Sequence, residues 1–512
     1  MRTILSLSTL LLIPLVEAQT IVTTLDDEDD GAASLSDTGD ISLREAIIYS
    51  SDAETITFDP SLDGETITLS EGQLEVPAGK TLSISAEALT NGLTIDAAAT
   101  LMELRRVLFI DENANVTLQN LTLTGGNPGA GISDFGGGIF ASSGSQLTLN
   151  SSTISNNLTG RSGGGIFVDD ESQLILNFST ITNNSTGSGG SGGGILADID
   201  TQITLNFSTI SNNFTGDGVN GIFSPIGNGG GIFASSGSQV TLNTSTISSN
   251  FTGDGGLGGL GGGIFASTDS QFTLNSSTIS NNSSGDNNGG GISITGALEV
   301  TVENSIIAGN TGANGDVNGT IDNILGNNLI GDSGILLAPL GDYGGPTQTM
   351  PPLPGSPAVN AALSSILTAD QRGFLITDGM PDIGAVEFQA SDLATILDLL
   401  FDEDLDQDGS SVGLELAIGT DPFSPDAGAA ANLRLIAFNN GQASLAFGVN
   451  ANQEDNIILR LVRSIDLINF DEVIVSNQDM DFDLNGAEFL EIDDDFTAPL
   501  GKAFYRLEAE RR

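Results

Sequence analysis

The chain has 512 residues, with 14 Lys and Arg against 66 Asp and Glu, and it contains neither His nor Cys. Its formal charge of −52 repels nucleic acid, anionic polysaccharide and anionic lipid unless cations bridge them. Without imidazole or thiol the usual zinc, haem, Ser–His and Cys–His chemistries are excluded, so any catalysis must use carboxylates, Arg, Tyr or the two lysines, Lys80 and Lys502.

At the N-terminus, Arg2 precedes an apolar run from Ile4 to Leu15, and Val16-Glu17-Ala18 supplies small residues before a cut after Ala18. This predicts a secretory signal peptide over 1–18 and a mature chain from Gln19. No later apolar run reaches the roughly 20 residues of a membrane span. The expected location is therefore extracellular, secreted or at the cell surface. In the cap and first coils expected over 19–112, Ser42 with Glu45 three residues on forms a capping box, predicting a short helix that covers the opening of whatever follows.

Residues 113–338 are repetitive. A Gly-Gly-Gly-hydrophobe block ends in Ile139, Ile166, Ile195, Ile232, Ile264 and Ile292, and a second block ends in Ile154, Ile181, Ile210, Ile247, Ile279 and Ile306. The two blocks lie fifteen residues apart in five copies and fourteen in the last, while the return to the next copy varies from twelve to twenty-two. Within each copy the apolar residues alternate, as in Gln146-Leu147-Thr148-Leu149, which marks short strands with one buried face. Such strands bury that face only by stacking coil on coil about 4.8 Å apart. The predicted class is all-β, a right-handed parallel β-helix. A propeller is disfavoured because its blades need about forty residues. Asn157, Asn184, Asn213, Asn250 and Asn282 predict an asparagine ladder at a turn that tolerates a left-handed backbone.

Counted from the glycine triplets, Asp169 and Asp198 share one position in adjacent coils, and Glu171 and Asp200 share another. Carboxylates stacked this closely repel, so either one holds a proton or a cation lies between them. They are the candidate acids of a glycosidase, weighed against a plain exposed edge. Between residues 107 and 371 the only cationic side chain is Arg161, so a lyase for uronates is disfavoured. Phe140, Phe167, Leu196, Phe233 and Phe265 follow the ladder Ile directly and point outward. They are either an interaction stripe or are covered by return loops carrying Leu158, Phe214 and Phe251.

Residues 339–389 are expected to close the far end. Beyond them, Asp404, Asp406, Asp408, Gly409, Ser410 and Glu415 match the calcium loop D-x-D-x-D-G-x₅-E. Carboxylates at alternate positions, the Ser410 carbonyl and a bidentate Glu415 provide hard oxygen ligands for Ca²⁺. This predicts a calcium-binding spacer over 390–428. Alternating runs such as Leu433 to Phe438 and Ile457 to Val462 then predict a small antiparallel sandwich over 429–512.

Three segments carry a family resemblance. Ile41-Ser42-Leu43-Arg44-Glu45-Ala46 resembles the CSLREA motif that opens many secreted β-helix proteins, with Ile41 where that family often has Cys. Leu340-Gly341-Asp342-Tyr343-Gly344-Gly345-Pro346, Asp370-Gln371-Arg372-Gly373 and Asp382-Ile383-Gly384-Ala385-Val386-Glu387 resemble the choice-of-anchor Q segment that ends such helices. The loop at 404–415, followed by Gly419-Thr420-Asp421-Pro422, is similar to a thrombospondin type 3 calcium spacer; a dockerin would bring two loops. The resemblance implies fold and export but little chemistry. The resulting expectation is an extracellular rod for adhesion or for binding a neutral glycan or surface protein. The alternatives are a polysaccharide-degrading enzyme and a structural coat protein.

Overall fold

A computed structural model describes residues 19–30 and 40–389, except 101, 132–133, 217–226, 254–258, 286–287, 332–333, 354, 364–367 and 377–378; beyond these it describes Asp392 and six strands between 434 and 511. The expected signal peptide and the calcium loop with Asp404, Asp406, Asp408, Ser410 and Glu415 lie outside the described residues. The chain divides into two compact units, one comprising Met1–Pro352 and Ser356–Glu387, the other Leu353–Gly355 and Phe388–Arg512.

The first unit is a right-handed parallel β-helix with three long sheets. The first sheet has eleven strands, the second nine and the third ten, with a further four-stranded sheet along the return segments. A typical coil contributes a five-residue strand such as Gln146–Asn150 to the first sheet and three-residue strands such as Ile139–Ala141 and Thr153–Ser155 to the others. Like side chains stack in register, Ile139 on Ile166 and Leu147 on Leu174. Their columns form one continuous apolar core from Val22 to Ile307.

The glycine triplets are needed for turning and for close approach. Gly136, Gly163, Gly192, Gly229 and Gly261 have φ between 66° and 72°, where a Cβ is strained. The second glycine lacks room instead: a Cβ on Gly193 would lie 2.5 Å from the Gly230 carbonyl oxygen of the next coil.

The asparagine ladder is present and longer than expected. The Asn157 side-chain amide donates to Asn184 Oδ1 at 3.0 Å, and the pattern continues through Asn213, Asn250, Asn282 and Asn310. Asp316 ends it, accepting from the side-chain amide of Asn310 at 2.8 Å. The left-handed residue, however, is the one before each ladder member (Asn156, Asn183, Asn212, Ser249 and Asn281). The ladder asparagines are kept for their amides, not for their backbone.

One register differs from expectation. Ile279 pairs with Ile307, and Ile306 pairs with Thr278. The spacing of the two blocks is therefore fifteen in the last coil as well, and Ile306 faces outward.

At the N-terminal end the helix Leu43–Tyr49 carries the expected capping box, with Ser42 accepting from the Glu45 amide. Its Leu43, Ala46 and Ile47 join the core, and it packs on Gln19–Val22 and Leu74–Val76, the first strands of two sheets. Arg44 pairs with Asp27 at 2.7 Å and donates to the Gln73 and Gly72 carbonyls. Burial opposes the Asp27 charge, but Arg44 and the amides of Glu71 and Ser70 outweigh it and hold the carboxyl below its usual range.

The segment expected to close the far end runs along the side of the third sheet. Thr209 donates to the Gln348 carbonyl, Gln371 bridges Thr209 and Thr246, and the Ala385 amide donates to Thr278. Ile383 and Ala358 pack on the outward Ile306. This strap buries Thr209, Thr246 and Thr278, whereas Thr153 and Thr180 of the same column remain partly exposed. At the end itself, Ile324, which pairs with the inward Val302, is exposed.

The second unit contains two three-stranded antiparallel sheets. One is built from Arg434–Asn439, Gln442–Gly448 and Phe489–Asp494, the other from Ile457–Ser464, Glu472–Ser476 and Phe504–Arg511.

Candidate functional site

The carboxylates converge at the corner between the second and first sheets. The strands Ile166–Val168 and Ile195–Ala197 pair in register, which brings the following Asp169 and Asp198 into adjacent coils. Oxygens of Asp169, Asp170 and Asp198 lie within 4.8 Å of one another, the three-carboxylate group of metal-binding type found among the described residues. The Ile199 amide donates to Asp198 at 3.0 Å and to Asp170 at 3.2 Å. Burial raises the Asp169 carboxyl above its usual range, with the Asp170 charge adding to it. Asp198 is raised by burial first and then by the charges of Asp170 and Asp169.

Two of the four sequence candidates do not join this group. Glu171 and Asp200 are exposed at the corner residue whose φ is 57° in both. Glycine fills the same corner at Gly144 and Gly237, so the position is defined by backbone conformation. Asp170 was not among the sequence candidates. Its column holds Ser143 and Ile199 in the flanking coils, so only the geometry of the corner reveals it.

The aromatic stripe is largely covered. Phe167, Leu196 and Phe265 are 4%, 7% and 6% exposed, while Phe140 and Phe233 are partly exposed. The cover over Phe167 is Phe135, at 4.7 Å between ring centroids, and Arg106 lies over Phe109 and Phe140. Leu158 is itself exposed, and Phe214 and Phe251, both half-buried, stack on each other at 5.3 Å. Arg161 lies over Phe135 and donates to the Gly131 carbonyl. The one cation between residues 107 and 371 is thus engaged with the return loop of the preceding coil.

The first sheet presents a third feature. Its outward residues form columns of like chemistry, broken only by Ile175: Gln146, Gln173, Gln202, Gln239 and Gln271; then Thr148, Ile175, Thr204, Thr241 and Thr273; then Asn150, Asn177, Asn206, Asn243 and Asn275. The last column is a second amide ladder at the surface, in which Asn177 donates to Asn150 and Asn206 to Asn177, each at 2.9 Å. At the edge beside it, Phe178 and Phe207 stack at 4.9 Å with φ of 50° and 53°, an uncommon backbone for a bulky side chain.

Coils, ladders and register define a right-handed parallel β-helix, a fold shared by surface proteins and polysaccharide-degrading enzymes. The family model described as right handed beta helix region matches residues 106–330 of this chain. No curated protein and no solved structure matches it. Among the described residues, no helix is long and apolar enough to cross a membrane.

Proposed function

We propose that this chain is an exported surface or matrix protein whose β-helix is a rigid scaffold for binding, with a neutral glycan or a surface protein as partner. The register carries this reading. Like polar side chains recur on an open face at one strand spacing, coil after coil, with Ile175 the one break, which suits a repetitive ligand better than a single reaction centre. Arg161, the one cation between residues 107 and 371, is held against Phe135 and Gly131, which supports binding over a lyase, because a single engaged cation is too little to hold a run of uronates.

The carboxylate corner favours a second reading, hydrolysis of a neutral or cationic glycan. Asp169 and Asp198 are close, and their raised carboxyls have the character of a general acid. Incubation with a polysaccharide panel separates the two. Retention without cleavage supports the scaffold, and cleavage that disappears in Asp169→Asn and Asp198→Asn establishes the enzyme.

The calcium spacer belongs to the same proposal and is supported by the spacing of Asp404, Asp406, Asp408, Ser410 and Glu415. With Ca²⁺ as the bound ion it stiffens the stretch over 390–428. Chelation is then expected to raise protease sensitivity over residues 390–425; digestion indifferent to EDTA would remove calcium from the proposal.

A further inference from the structure

We infer that the outward face of the first sheet is the binding surface, and that its ligand is an extended, uncharged polysaccharide lying along the coil axis; this rests on the scaffold reading above. From Thr81–Ser85 through Asn115–Gln119 to Gln271–Asn275, seven successive strands expose only Thr, Ser, Asn, Gln and one Ile, Ile175. In a chain of formal charge −52, none of these positions is charged. The acids resume at Glu299 and Glu303 in the next strand. The strap covers the third sheet and leaves this face open.

The amides are set before a ligand arrives. Within the surface ladder Asn177, Asn206 and Asn243 each donate one N–H to the preceding coil and accept one from the following coil. An amide has two donors and two acceptor sites, so each keeps one of both kinds, with its orientation fixed by the ladder. Sugar hydroxyls also donate and accept, and Thr148, Thr204, Thr241 and Thr273 supply matching hydroxyls beside them. Strands about 4.8 Å apart repeat these groups at close to the length of one sugar unit in an extended chain. Fixed polar groups lower the ordering cost of binding.

Other occupants fit less well. Seven strands of five residues give a face of roughly 550 Å², short of the about 800 Å² per partner of a stable protein pair. The face also lacks the Trp, Tyr and Arg anchors that dominate protein interfaces. Anionic polymers are repelled by the net charge.

The test is co-sedimentation of the full chain with microcrystalline cellulose, chitin and curdlan, with alginate as the anionic control. Retention on at least one neutral polymer and none on alginate is expected. Thr204→Lys and Asn206→Ala should each weaken it about tenfold, the loss of roughly one hydrogen-bonded contact. Thr204→Ser should restore it, and Thr153→Lys on the third sheet should leave it unchanged. Thr204 makes no ladder bond, so its variants keep the test valid if Asn206→Ala fails to fold. Retention unaffected by either face variant overturns this assignment and leaves the scaffold reading standing; retention on no polymer at all overturns the assignment and leaves a surface protein as the scaffold's partner. Inhibition of ice recrystallisation that the same variants abolish, without glycan retention, would give the lattice to ordered water and overturn the assignment.

Discussion

Asn213 shows how much one buried amide holds in this fold. Its Oδ1 accepts from the Asn184 backbone and side chain at 3.0 Å each, and its own amide reaches the Ile181 carbonyl and Asn250. Asn213→Ala leaves several buried groups unpaired at about 1–3 kcal/mol each. A loss of about 3 kcal/mol or more is expected, measured by denaturant unfolding. A surface change such as Thr153→Ser should stay within about 0.5 kcal/mol. Asp198 behaves in the opposite sense. A carboxyl raised in the fold binds its proton more tightly there than in the unfolded chain, so stability falls as pH rises from the ordinary carboxylate range through the raised folded value. Asp198→Asn removes that penalty. It should raise the melting temperature at pH 7 and leave it unchanged near pH 3, where both states are protonated; a variant that melts lower at pH 7 would mean a cation or a partner satisfies Asp198.

The strap is the element whose chemistry departs most from the repeats. Arg372 is buried, pairs with Asp370 at 2.7 Å, donates to the Glu387 carbonyl and lies over Phe374 at 4.6 Å. Asp370 also accepts from the amides of Arg372, Phe374 and Glu387. Arg372→Met leaves that carboxylate buried without its cation, a change worth about 3–5 kcal/mol. The expected outcome is faster amide exchange over 340–387 while the coils before Thr209 stay protected.

Periodicity explains what could be read in advance. The coil columns, the capping box and the pairing of Asp169 with Asp198 follow from fixed offsets, because a parallel stack turns sequence distance into spatial position. The Ile306–Ile307 doublet hid its register, since alternation cannot choose between two adjacent apolar residues. The preceding Ser305, aligned with Ser277 through the bond from the Ser277 amide, was the usable signal. The strap has no repeat, and so its place on the flank of the third sheet could not be read.

For the whole molecule the charge sets the response to salt. With 66 acidic and 14 basic residues, self-repulsion opposes compaction. Screening shortens to about 10 Å at 0.1 M salt. The melting temperature should therefore climb between about 10 mM and 0.1 M NaCl, as followed by circular dichroism; a flat profile would place the acids too far apart to matter.

Repeat rods usually unravel from their tips, because each unit is held only by its two neighbours. Here Gln371 and Ala385 fasten a single length of chain to Thr209, Thr246 and Thr278, so three successive layers cannot separate one at a time. Fraying on that side must first peel the fastening away, which turns a gradual process into a step. Among the described residues no such fastening lies over Thr153 and Thr180, and the layers that carry them are where partial opening under load should begin.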